Sequence, residues 1–118
     1  MSMKKPGYIV VLITTKDAEQ AHDIADILLK RRQAACVNIV AEVDSQYWWQ
    51  ERLEAAKESL LIVKSKAARL PDIIKSVKGI HSDDVPEIIA LPIIGGNGEY
   101  LNWIEREVDG GEGKRDAD

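Results

Sequence analysis

Hydrophobic and polar positions along the chain alternate between two periods, and the switches divide it into elements. Tyr8 to Ile13 is a continuous apolar, β-branched-rich run, which predicts a strand held centrally in a sheet. Asp17 stands three residues before Gln20, a capping-box-like start, and Ala21, Ile24, Ala25, Leu28 and Leu29 follow at helical spacing to about Arg32. Strand character returns at Ala35 to Val40 and continues through Tyr47, Trp48 and Trp49. Neither Gly nor Pro interrupts Ala35 to Leu53, so a strand this long must project past the sheet or bend through a bulge. Ser59 to Val63 is the next apolar run, and the charged segment between implies a long antiparallel hairpin turning near Arg52 to Ala56. Leu70, Ile73, Ile74 and Val77 predict a second helix, with Pro71 in its first turn and Gly79 at its end. Pro86 to Ile93 reads as a fourth strand, Gly95 to Gly98 as a loop, and Tyr100, Leu101, Ile104 and Val108 as a short third helix. Residues 1–7 are expected to be flexible and 109–118, Gly-rich and charged, a disordered tail, leaving 8–108 as one domain.

The order strand, helix, strand, strand, helix, strand, then a helix is that of an α+β ferredoxin-like βαββαβ sandwich, here with a long β-hairpin arm and a short C-terminal helix. Helices on one face leave the other face of the sheet bare, although the strands carry apolar residues on both sides. A cyclic homo-oligomer is the economical cover. The run Tyr47-Trp48-Trp49-Gln50 sharpens this expectation. Adjacent side chains of a strand point to opposite faces, so two neighbouring tryptophans need two burial sites. One is expected to pack inward and the other, with Tyr47 and Gln50, at an interface between copies.

Composition narrows the partners. A length of 118 residues, with 45% apolar and 31% charged residues, fits one globular domain able to fold without disulfides or an obligatory metal. The formal charge of −4 gives no basic footprint for nucleic acid. The basic run Lys30-Arg31-Arg32 is explained by the dipole at a helix C-terminus. Apolar runs fall far short of the roughly 20 residues of a membrane span, and the N-terminus does not resemble a secretory signal. A single cysteine agrees with a reducing, cytoplasmic location.

Cys36, the one thiol, is the softest ligand in the chain and suits copper as Cu(I), yet between Ala35 and Val37 in a strand it reads first as a small buried hydrophobe. His81 with Asp83, Asp84 and Glu87 is the one concentrated set of imidazole and carboxylate groups, suited to Cu(II) or Zn(II); the alternative is a solvated loop. His22, beside Asp23, reads as a surface residue of the first helix. The Gly95 to Gly98 loop lacks the fingerprint of a phosphate-binding turn. No nucleophile elbow, metalloprotease helix or spaced Cys/His pair is present, so an enzyme is not expected.

Three separated motifs, Ala35 to Val40 (ACVNIV), Tyr47 to Gln50 (YWWQ) and Val85 to Ile93 (VPEIIALPI), resemble the signature of the CutA family, and the resemblance runs from about Tyr8 to Val108. It implies a ferredoxin-like subunit in a tight homotrimer, architecturally related to the PII signalling proteins and associated with tolerance to divalent ions, copper especially. Carried over by position, Cys36 falls on the family cysteine and His81 on the histidine before the V-P-E-I strand, while Trp49, Gln50 and Glu87 fall near subunit junctions. Metal would then be held by His81, Cys36, Asp84 and Glu87, with no obligatory cofactor and no identified protein partner. His81-Ser82-Asp83-Asp84 departs from the pattern, because the family carries a Pro, a Tyr and an acid after the histidine. The acid survives as Asp84 and the aromatic is missing. The alternative function is a PII-like trimer that binds a small organic ligand or a protein in clefts between subunits.

Overall fold

The computed structural model describes residues 7–108, so the tail 109–118 and all of segment 1–7 except Gly7 lie outside the described residues. The elements run β1 (Tyr8–Thr15), α1 (Ala18–Lys30), β2 (Cys36–Trp49), β3 (Arg52–Lys66), a single 3-10 turn (Ala67–Arg69), α2 (Leu70–Lys78), β4 (Ile88–Pro92) and α3 (Gly98–Glu107). The four strands form one antiparallel sheet in the order β2-β3-β1-β4, and α1 and α2 cover one of its faces. This is the ferredoxin-like α+β sandwich.

Period-two burial explains how β1 works. Ile9, Val11, Ile13 and Thr15 are buried under the helices, whereas Tyr8, Val10, Leu12 and Thr14 point to the opposite face. On β3 the same alternation buries Ser59, Leu61, Val63 and Ser65. Ile24 and Leu28 of α1 and Ile73 and Val77 of α2 close the core above them. Asp17 starts α1 as its sequence implies: its carboxylate accepts the Gln20 N–H at 2.9 Å. The basic run at the end of α1 does more than face the dipole. Arg31 donates to Ser76 Oγ at 2.9 Å, and Arg32, at φ 56°, donates to the Glu107 carboxylate at 2.8 Å and carbonyl at 3.2 Å.

α3 packs on the sheet face that α1 and α2 leave bare, but only at one end. Glu105 there accepts from Tyr8 Oη at 3.2 Å and from Lys66 Nζ at 3.0 Å. The rest of that face stays open and apolar. Register places Val10, Leu12, Leu60, Ile62, Val40, Ile89 and Leu91 on it, with Ile89 51% and Leu91 49% exposed.

The hairpin differs from expectation in its extent and its turn. Charged residues 52–58 belong to β3, and the chain reverses at Gln50 and Glu51, both left-handed at φ 50° and 63°. The pair Trp49↔Arg52 closes a two-residue loop of the mirror-image type usually occupied by Asn-Gly. Charges do not break the strand because beyond Glu58 it forms an arm with no core beneath it. A bulge between Val40 and Val43 re-aims the outer half of β2. The projecting arm also raises the Cα radius of gyration to 15.4 Å, against about 13 Å for a compact chain of 100 residues. β4 begins at Ile88 rather than at Pro86, which has no N–H for the ladder.

Neither tryptophan of the arm packs inward. Trp48 is 73% and Trp49 59% exposed, because both lie beyond the helices. Alternation does separate them: Trp48 pairs across the arm with Leu53, while Trp49 shares the other side with Tyr47 and Glu58.

Candidate functional site

Where the arm leaves the body, it forms one wall of a cleft of about 810 Å³. The loop from Ser82 to Glu87 forms the other wall, and Thr14 at the end of β1 lies between. Tyr47 and Trp49 give the arm side two aromatic rings, together with Asp44, Ser45, Gln46 and Glu58; the loop side presents Asp83, Asp84 and Glu87. No Lys or Arg is among the lining residues. Lys57 lies beyond them and pairs with Asp44 at 2.8 Å and with Glu42 at 3.5 Å. The hydrogen bond to Asp44, then the charges of Asp44 and Glu42, raise the Lys57 ammonium above its ordinary value, so one of five cleft carboxylates has its own countercharge.

His81 fixes the loop. Its Nδ1 accepts the Asp83 N–H at 3.0 Å, and its Nε2 lies 2.7 Å from the Thr14 carbonyl. Since a carbonyl only accepts, Nε2 carries the hydrogen and the ring is held as the neutral Nε2–H tautomer. Two further bonds hold the segment. Thr14 Oγ1 donates to Glu87 at 3.4 Å, and Ser82 Oγ donates to Gln20 of α1 at 3.3 Å.

The four residues expected to hold metal are therefore divided. Asp84 and Glu87 line the cleft, but both ring nitrogens of His81 are committed to the backbone, leaving no lone pair for an ion without the loss of a loop contact. Cys36 lies elsewhere, half-buried and paired with Lys64, whereas Thr14 is level with Leu60. Four residues of strand separate the two levels, about 13 Å at roughly 3.3 Å per residue. The Cys36 thiol sits 3.9 Å from Asn38 Oδ1 and against the Tyr100 hydroxyl of α3; burial first, then the Cys36 sulfur, raises the Tyr100 phenol. Among the described residues, no three His, Cys, Asp or Glu side chains come together as a metal-holding group. The described side chains of one chain do not fit a closed metal centre.

The cleft lining includes Asp83, Asp84 and Glu87, which sequence spacing groups with His81, and adds Thr14, Asp44 and Glu58, which it does not. The bulge that re-aims β2 is implied by strand length, yet which side chains it turns into the cleft depends on the residue at which it falls. Of the four arm residues, Tyr47 and Trp49 face the cleft, Trp48 faces away and Gln50 makes the turn. His22 is exposed on α1. In the 95–98 loop, Asn97 caps α3 by accepting the Glu99 N–H at 3.0 Å, so the helix start is satisfied from within the chain.

Comparison with known proteins gives a consistent kinship. The family profile described as CutA1 divalent ion tolerance protein matches residues 9–107. The chain is 47% identical over 99 residues to the divalent-cation tolerance protein CutA of Thermus thermophilus, covering 84% of this chain and 96% of that one. With the chloroplastic CutA 1 of Oryza sativa it shares 42% identity over 100 residues, 85% of this chain and 56% of the rice protein; over the chloroplastic CutA of Arabidopsis thaliana the match spans 59% of the relative's length. Solved structures agree. CutA1 from Oryza sativa superposes with a TM-score of 0.87 at 39% identity, covering 90% of this chain and 97% of that one. The Thermus thermophilus protein gives 0.85 at 44% identity, covering 86% and 99%. A sandwich with a projecting two-tryptophan arm, matched over nearly all its described length, thus belongs to the CutA1 divalent ion tolerance family.

Proposed function

We propose that the protein acts as a homotrimer in tolerance of divalent cations, copper among them, and that any ion is held where copies meet rather than within one chain. The observation that carries this reading is an apolar sheet face left bare by the helices together with an arm whose Trp48 and Leu53 are 73% and 63% exposed. A two-stranded ribbon is marginal in water on its own. Exposed rings on such a ribbon call for a partner surface, and a second and third copy supply the same apolar face each time. Assembly would also bring acids of neighbouring clefts closer together, supplying the count of donors that the described residues of one chain lack. The role is binding rather than catalysis, since His81 spends both nitrogens on the backbone and Cys36 has no base beside it among its contacts. The unpaired Cys36 agrees with the cytoplasm as its compartment.

A second reading is a PII-like trimer that takes an organic ligand, and the size and aromatic wall of the cleft favour it. Titration calorimetry of the reduced protein with Cu(I), Cu(II) and Zn(II), with mass from light scattering on the same sample, tests the first reading. Saturable binding at a simple ratio to a trimer is the expected result. A monomer at working concentration overturns the assembly, and non-saturating binding overturns the metal.

A further inference from the structure

We infer that α3 is a hinged strap, which swings on the 95–98 loop, is latched at its far end by Glu105 and Glu107, and uncovers the Cys36 thiol when it opens. This end of the open sheet face is covered by the chain's own helix, so no surface that a neighbouring copy would take is involved.

The hinge rests on glycines that the closed arrangement does not use. Gly95, Gly96 and Gly98 stand together between β4 and α3, and none adopts a left-handed φ. A Cβ at Gly95 or Gly98 would meet nothing within 4 Å, and one at Gly96 only the Leu101 side chain at 4.0 Å. Neither backbone conformation nor close packing calls for glycine here. What glycine supplies instead is backbone freedom, the property of a connection that must change its φ and ψ. The helix beyond it is built to move as a unit: Asn97 caps it by accepting the Glu99 N–H at 3.0 Å, and the Tyr100 and Trp103 rings lie along it with centroids 5.4 Å apart. Its hold on the body is slight and lies at the other end. Of its ten residues only Ile104 is buried, with Val108 just beyond. Glu105 accepts from Lys66 and Tyr8, and Glu107 accepts from Arg32 through both carboxylate and carbonyl. The Arg32 and Glu107 side chains are 43% and 39% exposed, and ion pairs this open contribute little and weaken with salt. Cys36 and its pair Lys64 face the open side of the sheet, where the Tyr100 hydroxyl reaches the thiol from the strap.

Cys36 is the one cysteine of the chain, so its thiol reports the opening without ambiguity. The rate of its reaction with dithiodipyridine, an uncharged disulfide, is measured on the full chain, with mass by light scattering on the same samples. Glu105→Gln with Glu107→Gln should speed the reaction at least tenfold at low salt while the mass stays native. Sodium chloride should speed the native chain several-fold and that variant little, because its latch is already gone. Gly95→Ala with Gly98→Ala should slow the reaction several-fold without lowering the melting temperature. Leu28→Ala separates opening from unfolding: it weakens the whole sandwich and should leave the rate far closer to native than the latch variant does. A rate unchanged in the latch variant or in the glycine variant overturns the strap. Rates that rank with melting temperature across all the variants, or that rise only in samples whose mass has fallen, overturn it as well. Where the glycine variant does not fold, the latch variant and the salt response decide the matter.

Discussion

The body of the sandwich and its arm obey the same strand periodicity but bury different things. In the body, every second residue of β1 and β3 is buried within the chain, and Val11, Ile13, Leu61 and Val63 reach zero exposure. In the arm, the same alternation sorts Trp48 and Leu53 to one side and Tyr47 and Trp49 to the other, and both sides remain exposed. The body is thus satisfied by its own helices, while the arm carries apolar area that only another molecule or a ligand can cover. Burial within the chain and exposed apolar area are written into separate stretches of one continuous hairpin.

That separation is broken most severely through the arm. Trp48→Ala is expected to cost about 3–5 kcal/mol at each copy of the site, by analogy with large aromatic losses from cores. Multiplied over symmetric copies, this should dissociate the assembly and make its melting temperature depend on protein concentration. Size exclusion with light scattering reads the result, and an unchanged mass for both Trp48→Ala and Trp49→Ala would sink the role given to the arm. Leu28→Ala, deep in the body, should instead cost about 2–5 kcal/mol. Denaturant unfolding should show that loss on the chain's own transition, with the mass by light scattering unaffected while the chain is folded.

A smaller effect sharpens the comparison at the tip. Gln50 and Glu51 adopt left-handed conformations, which cost non-glycine residues roughly 1–2 kcal/mol each. Replacing the pair by Asn-Gly supplies the residues this turn favours. A gain of about 1 kcal/mol or less is expected in thermal unfolding. No gain would mean that the tip contributes nothing to the cooperative unit and frays independently of the body.

Much of the body was legible in the sequence because its hydrophobic periods coincide with its burial. Asp17 as cap, the α1 stripe from Ala21 to Leu28, Gly79 after α2 and the order of elements along the chain all follow from local chemistry. The arm was legible only in part. Its length followed from the absence of Gly and Pro, but its turn was displaced to Gln50-Glu51 because neither residue advertises a left-handed backbone. The inward tryptophan was an error of a different kind, since period two tells that two side chains diverge and not that a core lies beneath either. At the site, neighbours in sequence such as Asp84 and Glu87 could be grouped from spacing alone. Thr14, Asp44 and Glu58 arrive from three different places through the register of β1, β2 and β3, which no local pattern displays. His81 shows the same gap: its residue type pointed to metal, whereas its two hydrogen bonds, one to a carbonyl 67 residues away, make it a fastener.

The smallest expected effect lies where α3 closes one end of the open sheet face. Tyr8 and Tyr100 both hold their phenols above the ordinary value of 10.0, Tyr8 through desolvation and then Glu105, Tyr100 through burial and then Cys36. A raised value means that the folded chain keeps these protons longer than the unfolded one. Their contribution is therefore complete below the unfolded value and is lost as the pH climbs through the folded values. Stability should decline modestly above about pH 10, and Tyr8→Phe should flatten the decline by removing one of the two phenols. Because Tyr8 faces α3 and Tyr100 lies on it, and neither belongs to the arm, oligomer mass should hold constant while this loss develops. A parallel fall in mass, followed by light scattering across the same pH series, would show that α3 and the arm belong to one interface rather than to two.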